Sequence, residues 1–225
     1  QQATDEFSLP TEIWREVVDR RNRYFDIRYK IQNNEIKTIN DFIAYNLNIR
    51  QFTQDCIELT DDAEFLKAFY KALKKITILD PTCGSGAFLF AALNILEPLY
   101  ESCISTMEDF VEKDNRSKHK FFETELEHIN SPYHPNREYY IYKSIILNNL
   151  YGVDIMNEAI EIAKLRLFLK LVACIKPDFK KENFGLEPLP DIDFNIKCGN
   201  TLIGFATQTE LEELIRTDMI LYLKK

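Results

Sequence analysis

Apolar residues recur at helical spacing over the first third of the chain and gather into short β-branched runs after it. Between positions 11 and 33, Ile13, Trp14, Val17, Val18, Tyr24 and Phe25 repeat on one face, with Arg15, Asp19, Arg20 and Arg23 opposite. That pattern predicts a long amphipathic helix. The basic run Arg20-Arg21-Asn22-Arg23 reads as its solvated side. A second helix is expected from an N-cap at Thr38 to Glu58, through Ile39, Phe42, Ile43, Leu47, Phe52 and Ile57. A third follows Asp61-Asp62 and uses Phe65, Leu66, Phe69 and Leu73. No glycine precedes Gly84, so residues 1–74 are expected to form an all-helical annex.

At Ile76 the pattern changes. Ile76-Thr77-Ile78-Leu79 reads as a strand ending on Asp80, followed by the turn Gly84-Ser85-Gly86 and an apolar helix over 86–97. Having no polar face, that helix is expected to be covered on both sides. Residues 101–138 are charged, hold all three histidines (119, 128, 134) and read as a helical insertion decorating the surface. No carboxylate or cysteine stands at ligand spacing from those histidines, so no metal is expected. A helix over Tyr139–Leu147 leads to a second strand, Leu150-Tyr151-Gly152-Val153-Asp154-Ile155. Asn157 then serves as N-cap of an apolar helix over 158–175. A linker with Pro177, Pro188 and Pro190 precedes a third strand and turn, Phe194 to Asn200. Thr207-Gln208-Thr209-Glu210 matches a capping box for a last helix reaching Lys224.

Strand, helix, strand, helix, strand opens a doubly wound α/β sheet. The expected organisation is a helical region at 1–74, an α/β core at 75–205 carrying the 101–138 insertion, and a C-terminal helix at 206–225. Three strands are fewer than such sheets usually have, and the chain opens Gln1-Gln2-Ala3 without a methionine. A piece of a larger protein is therefore expected. Met219, Ile220, Leu221 and Leu223 on the last helix would then promote self-association.

Composition narrows the class. Hydrophobic residues make up 45% of the chain and charged ones 28%, as in globular proteins. No run approaches the ~18 apolar residues of a membrane helix. Five scattered cysteines form no Cys-x-x-Cys pair, which argues for reduced thiols and a cytoplasmic location. The net charge of −8 argues against this chain supplying the main phosphate-binding surface for a nucleic acid.

The candidate chemistry lies at the strand ends. A glycine-rich turn between strand and helix presents backbone N–H groups, and its glycines permit close approach of a ligand. No lysine stands in the turn, as a P-loop requires, and Leu89 occupies the third glycine position of a dinucleotide fingerprint. Asp80-Pro81 before the glycines suits a ligand bearing a cation, such as the ammonium and sulfonium of S-adenosylmethionine. Ligands of open parallel sheets bind beyond the carboxyl ends of the strands, where Asp80, Asp154 and Asn200 all stand. Asp154 is placed to accept both ribose hydroxyls, Ile155 to face an adenine ring and Asn200 to meet its edge. Taken singly, each favours a plainer role, Asp154 as a cap of helix 158–175 and Asn200 as a turn residue; their order, one after each strand, favours a cofactor pocket.

Asp80-Pro81-Thr82-Cys83-Gly84-Ser85-Gly86-Ala87-Phe88 resembles the first motif of the adenine-N6 DNA methyltransferases of restriction–modification and phage-defence systems. Tyr151-Gly152-Val153-Asp154-Ile155, with Ala163-Lys164-Leu165-Arg166-Leu167, is similar to their second motif, and Asp193 to Gly204 to their third. The likeness covers about residues 40–205 and is nearest to large type II enzymes in which methylase and endonuclease share one polypeptide. It implies a truncated doubly wound, Rossmann-like methyltransferase core that binds S-adenosylmethionine. On it Asp80, Gly84 and Gly86 would line the methionine end, Asp154 the ribose, and Ile155 with Asn200 the adenine, with Pro81, Thr82 and Ser85 of the same turn also counted as cofactor-binding. It also implies double-stranded DNA as substrate, held through other regions, and an endonuclease domain or subunit as partner.

Three features depart from that family. Asp154 stands 74 positions after Asp80, a spacing that the insertion accounts for. The upstream Phe-Ser/Thr-Pro element is echoed only by Phe52-Thr53-Gln54. The catalytic Asn/Asp-Pro-Pro-Tyr/Phe loop is absent, and no Pro-Pro dipeptide occurs in the chain. The chain alone is thus expected to hold the methyl donor without transferring the methyl. Two alternatives stay open: a non-catalytic cofactor-binding or scaffolding subunit of a defence complex, and a methyltransferase acting on RNA or protein. A nicotinamide oxidoreductase is disfavoured by Leu89.

Overall fold

A computed structural model describes residues 13–113, 119–131, 134–175, 192, 195–203, 207, 209–210 and 212–215. The chain divides into two compact units, Gln1–Thr53 and Gln54–Lys225. The first carries α1 (Trp14–Gln32), α2 (Ile39–Ala44) and the start of α3 (Ile49–Glu58). Thr38 caps α2 as expected: its Oγ1 accepts from the Asp41 amide at 3.2 Å, and Asp41 Oδ2 accepts from the Thr38 amide at 2.8 Å. The single helix expected from Thr38 to Glu58 is broken. Asn46 adopts φ +52, ending α2, and Asn48 Oδ1 accepts from the Gln51 amide at 3.1 Å, starting α3. Asparagine tolerates the left-handed region and caps helices, so both events follow from residue type. The amphipathic reading of α1 is also corrected. Val17 is buried, whereas Trp14, Tyr24 and Phe25 are exposed, and Ile36 is the one other buried hydrophobic residue described in this unit. So small a unit has little apolar surface with which to cover a 19-residue helix.

The second unit follows the order α4 (Ala63–Lys75), β1 (Ile78–Asp80), α5 (Ala87–Lys113), α6 (Lys120–Ile129), α7 (Arg137–Asn148), β2 (Leu150–Asp154), α8 (Asn157–Ala173) and β3 (Ile196–Cys198). The strands form a parallel sheet in the order β1-β2-β3, with Asp80 opposite Gly152 and Asp154 opposite Cys198. A small parallel sheet in a mostly helical chain is what the structure shows. Paired residues share a face. Ile78, Leu150 and Ile196 lie on the face packed by helices, and Leu150 and Ile196 are buried. Leu79, Tyr151, Val153 and Lys197 lie on the other, and none is buried. That second face is therefore left uncovered among the described residues. For the same reason α8 buries Ile160, Ala163, Leu167 and Leu171 but exposes Ile162, Leu165 and Leu169.

The apolar helix after the glycine turn is much longer than the 86–97 expected. It runs through Pro98 to Lys113 and buries ten residues from Leu89 to Met107. A mid-helix proline costs about 3 kcal/mol, which burial on this scale outweighs. By length and composition α5 could cross a membrane, so the reading that no run approaches that length is corrected; here its apolar residues build the core. The 101–138 segment is likewise more than decoration. Ser102, Cys103, Ile104, Thr106 and Met107 on α5, and Phe122, Leu126 and Ile129 on α6, are buried. The helix after β2 starts one residue from expectation, with Met156 at the N-cap and Asn157 inside the helix. Thr207 Oγ1 accepts from the Glu210 amide at 3.3 Å, as its capping box predicts. The proline linker and the apolar residues at 219–223 lie outside the described residues.

Polar side chains buried below the sheet hold these pieces in register. Asn149, fully buried between α7 and β2, donates to the carbonyls of Leu73 (2.8 Å) and Ile76 (2.7 Å), joining the end of α4 to the start of β2. Its Oδ1 accepts from the Tyr100 hydroxyl at 3.0 Å. Asn195 Nδ2 lies 2.9–3.1 Å from the carbonyls of Ile146, Leu147 and Leu150, which ties β3 to the end of α7. Buried carbonyls left without a donor are expensive, so these amides specify the strand order as well as stabilising it. Asn149→Ala should lower unfolding free energy by about 2–4 kcal/mol, read from urea denaturation. An unchanged midpoint would show that the network contributes nothing.

Candidate functional site

The site is assembled where the carboxyl ends of the three strands meet the glycine turn. Gly84 and Gly86 adopt φ +50 and +85, a region in which a Cβ would be strained. A Cβ on Gly86 would also stand 3.3 Å from that of Ala163 on α8. The turn is closed by the Gly86 amide on the Cys83 carbonyl (2.8 Å). The Cys83 amide on the Val153 carbonyl (2.9 Å) holds it against β2.

That contact depends on Gly152. A Cβ there would lie 2.9 Å from Cys83 Sγ, closer than real Cβ atoms pack, and 3.0 Å from Leu89 Cδ1, a tight contact. Without one, the turn settles onto β2, and the Gly84 amide reaches Asp154 Oδ2 at 2.9 Å. Asp154 Oδ1 accepts from the Met156 amide, also at 2.9 Å. The amides of Met156 and Gly84 favour the charged form and hold the Asp154 carboxyl below the usual carboxylate range. Met156, not Asp154, is the N-cap of α8, and Asp154 instead accepts one backbone donor on each oxygen.

Asp80 stands at the end of β1. Its Oδ1 accepts from the Thr82 amide at 3.1 Å, while its Oδ2 is buried with no hydrogen-bond partner among the described residues. An unpaired buried carboxylate oxygen is costly, and a cationic or hydroxyl-bearing ligand would relieve it. Burial, then the carboxylates of Asp80 and Asp154, push the Cys83 thiol up, so it packs as an uncharged side chain beneath the turn.

The third strand closes the group. The Gly199 amide donates to the Asp154 carbonyl (2.8 Å), and Thr201 Oγ1 to the Pro81 carbonyl (3.1 Å). Asn200 is exposed beside them, its Oδ1 accepting from the Leu202 amide at 2.9 Å. Ile155 is 70% exposed at the same edge, an apolar surface with no fold reason to face water. Pro81 and Thr82 are exposed, and Ser85 is half-buried. The nine residues expected from sequence therefore fall on three turns that bond to one another. Thr53 lies in the first compact unit, its Oγ1 donating to the Ile49 carbonyl at 2.8 Å within α3. The histidines go elsewhere: His119 stacks on Phe122, and His128 and His134 pack beside Tyr140.

Sequence reasoning missed three contributors. Gly152 was legible as a glycine inside a strand, a mark of close backbone approach. Thr201 and Arg166 carried no such signal. Arg166, on α8, donates from Nη1 to the Ser85 carbonyl at 2.8 Å, and its guanidinium lies 4.6 Å over the Phe90 ring.

A small parallel sheet with a glycine turn after its first strand and an acid at each of its first two strand ends places the chain among α/β proteins. Residues 56–214 match the model of the family described as "MmeI, DNA-methyltransferase domain", and the chain belongs to that family. Over 155 residues, 67% of its length, it is 36% identical to a predicted type II restriction enzyme and methyltransferase of Methanocaldococcus jannaschii. The matched stretch spans 10% of that protein. No solved structure matches.

The packing at Gly152 makes a contrast that can be measured. Gly152→Ala should destabilise the protein by about 1–3 kcal/mol in urea unfolding, through overpacking against Cys83 and Leu89. Gly199→Ala, whose Cβ would meet only Val153 Cγ1 at 3.7 Å, should change stability far less. Equal effects would refute the close-approach account.

Proposed function

We propose that this chain is the S-adenosylmethionine-binding part of an adenine-N6 DNA methyltransferase of a restriction–modification system. Family membership and the relative's printed description support the methyltransferase reading. The observation that carries the donor site is the joint placement of the Gly84–Gly86 turn, the unpartnered Asp80 Oδ2 and Asp154 at one sheet edge. The sheet is then the first part of a Rossmann-like core.

Each residue has chemistry to spare for the donor. Asp80 Oδ2 meets the ammonium of the methionine portion. Each Asp154 oxygen accepts one backbone N–H and keeps acceptor capacity for a ribose hydroxyl. Ile155 offers an apolar face to adenine, and the Asn200 side-chain NH2 is left to donate to the ring edge. The bound donor supplies an electrophilic methyl on its sulfonium. The chain holds no Pro-Pro dipeptide, so the element that grips a flipped adenine is assigned to polypeptide beyond these residues. On this reading the chain alone binds donor without methylating. Double-stranded DNA and an endonuclease domain or subunit engage those other regions, consistent with the net charge of −8 here. A cytoplasmic location belongs to the same proposal.

Calorimetric titration of the chain should show saturable binding of S-adenosylmethionine and none of NADH or ATP. A folded protein giving no heat with the donor at about millimolar concentration would overturn the reading. Asp154→Ala should weaken donor binding about ten- to a hundredfold through lost charge-assisted hydrogen bonds; unchanged affinity would remove the ribose assignment. The depressed Asp154 pKa fixes the sign of a pH dependence. Its amide bonds are fully present above the ordinary carboxylate value and are lost as pH falls through the lowered one. Asp154-dependent affinity, the ratio of wild type to Asp154→Ala, should therefore stay level from pH 8 to about pH 5. A decline already evident between pH 7 and 6 would contradict it.

A further inference from the structure

Arg166 is the one cation with a described contact to the glycine turn, and donor binding as proposed above does not use it. It stands in the third turn of α8, three residues after Ala163, the residue that packs under Gly86. Its Nη1 donates to the Ser85 carbonyl at 2.8 Å and lies 3.4 Å from Ser85 Oγ. The guanidinium plane is held over Phe90, one turn into α5, with 4.6 Å from Cζ to the ring centroid. One side chain thus grips both the apex of the turn and the helix that leaves it.

The apex needs such a grip. Ser85 sits between two glycines in left-handed conformation, the residue type that loses most backbone freedom on ordering. The described bonds that restrain the turn on its β2 side are those of the Cys83 and Gly84 amides. From α8, Arg166 adds a restraint at Ser85. A lysine could reach the carbonyl with a single donor, but it lacks the flat, weakly hydrated plane that stacks on an aromatic ring.

We infer that Arg166 is a positioning residue that pre-orders the Gly84–Gly86 turn for the donor, acting through the Ser85 carbonyl and the Phe90 ring. It touches no proposed donor atom. Its effect is to remove the ordering penalty that a loose turn would add to binding. The inference rests on the donor reading for its consequence in affinity, but the ordering of the turn can be read without any ligand.

The experiment compares wild type, Arg166→Ala and Arg166→Lys by amide hydrogen exchange of the free protein and by calorimetric titration with S-adenosylmethionine. In Arg166→Ala the Gly84 and Gly86 amides should exchange several-fold faster, while the Gly152 amide, bonded to the Asn195 carbonyl, keeps its protection. Donor affinity should fall about three- to tenfold. Arg166→Lys should recover part of both effects, which a loss of global stability would not produce. Unchanged exchange at Gly84 and Gly86 in Arg166→Ala overturns the inference. So does faster turn exchange with unaltered affinity. If wild type itself binds no donor, the donor reading fails, and the exchange comparison still decides whether Arg166 orders the turn.

Discussion

The absence of a side chain at Gly152 is the constraint on which the site depends. The glycine turn and β2 approach so closely that Cys83 Sγ and Leu89 Cδ1 fill the space a Cβ would need. Two consequences follow from that single contact. The Cys83 amide reaches the Val153 carbonyl, so the turn is held by β2 as though it were a further ladder rung. The Gly84 amide reaches the Asp154 carboxylate, so two strand ends that stand 74 positions apart in the chain become one electrostatic unit. A larger residue at 152 would crowd Cys83 and Leu89 at this contact.

A second set of buried polar groups does the same work at the other end of the sheet. Asn149 and Asn195 each spread one side-chain amide over carbonyls from different elements, joining α4, α7, β2 and β3. Apolar packing alone would be indifferent to a shift of one strand past another. Hydrogen bonds in a low-dielectric interior are not, because every misplaced carbonyl would lose its donor. The parallel register, and with it the alignment of Asp80, Asp154 and Asn200 at one edge, is thus pinned from below.

The two acids at that end of the sheet stand in unlike surroundings. Asp80 and Asp154 stand close enough for both to raise the Cys83 thiol, yet they are not equivalent. Asp154 has a backbone donor on each oxygen and is held in its charged form, whereas one oxygen of Asp80 is buried with no partner among the described residues. The first is ordered in advance; the second lacks something a ligand would supply.

Local residue chemistry was enough to place the strands, the glycine turn, the caps at Thr38 and Thr207, and the acids at the strand ends, because those features are decided within a few residues. Family membership agrees with the motifs in which those residues stand. Asn46 and Asn48 would have shown the break between α2 and α3 had their left-handed and capping habits been weighed against the apolar spacing. What depended on distant partners was not legible. Nothing near Pro98 reveals that α5 continues, because the burial that offsets its proline comes from α4, α6 and α7. The exposure of Tyr24 and Phe25, the burial of Phe122 and Leu126, and the reach of Arg166 to Ser85 likewise depend on which surfaces meet. Backbone preference is a property of neighbours in sequence, whereas burial and side-chain reach are properties of neighbours in space. The chain therefore named its turn and its acids, and only the packed structure decided what covers them and what holds them still.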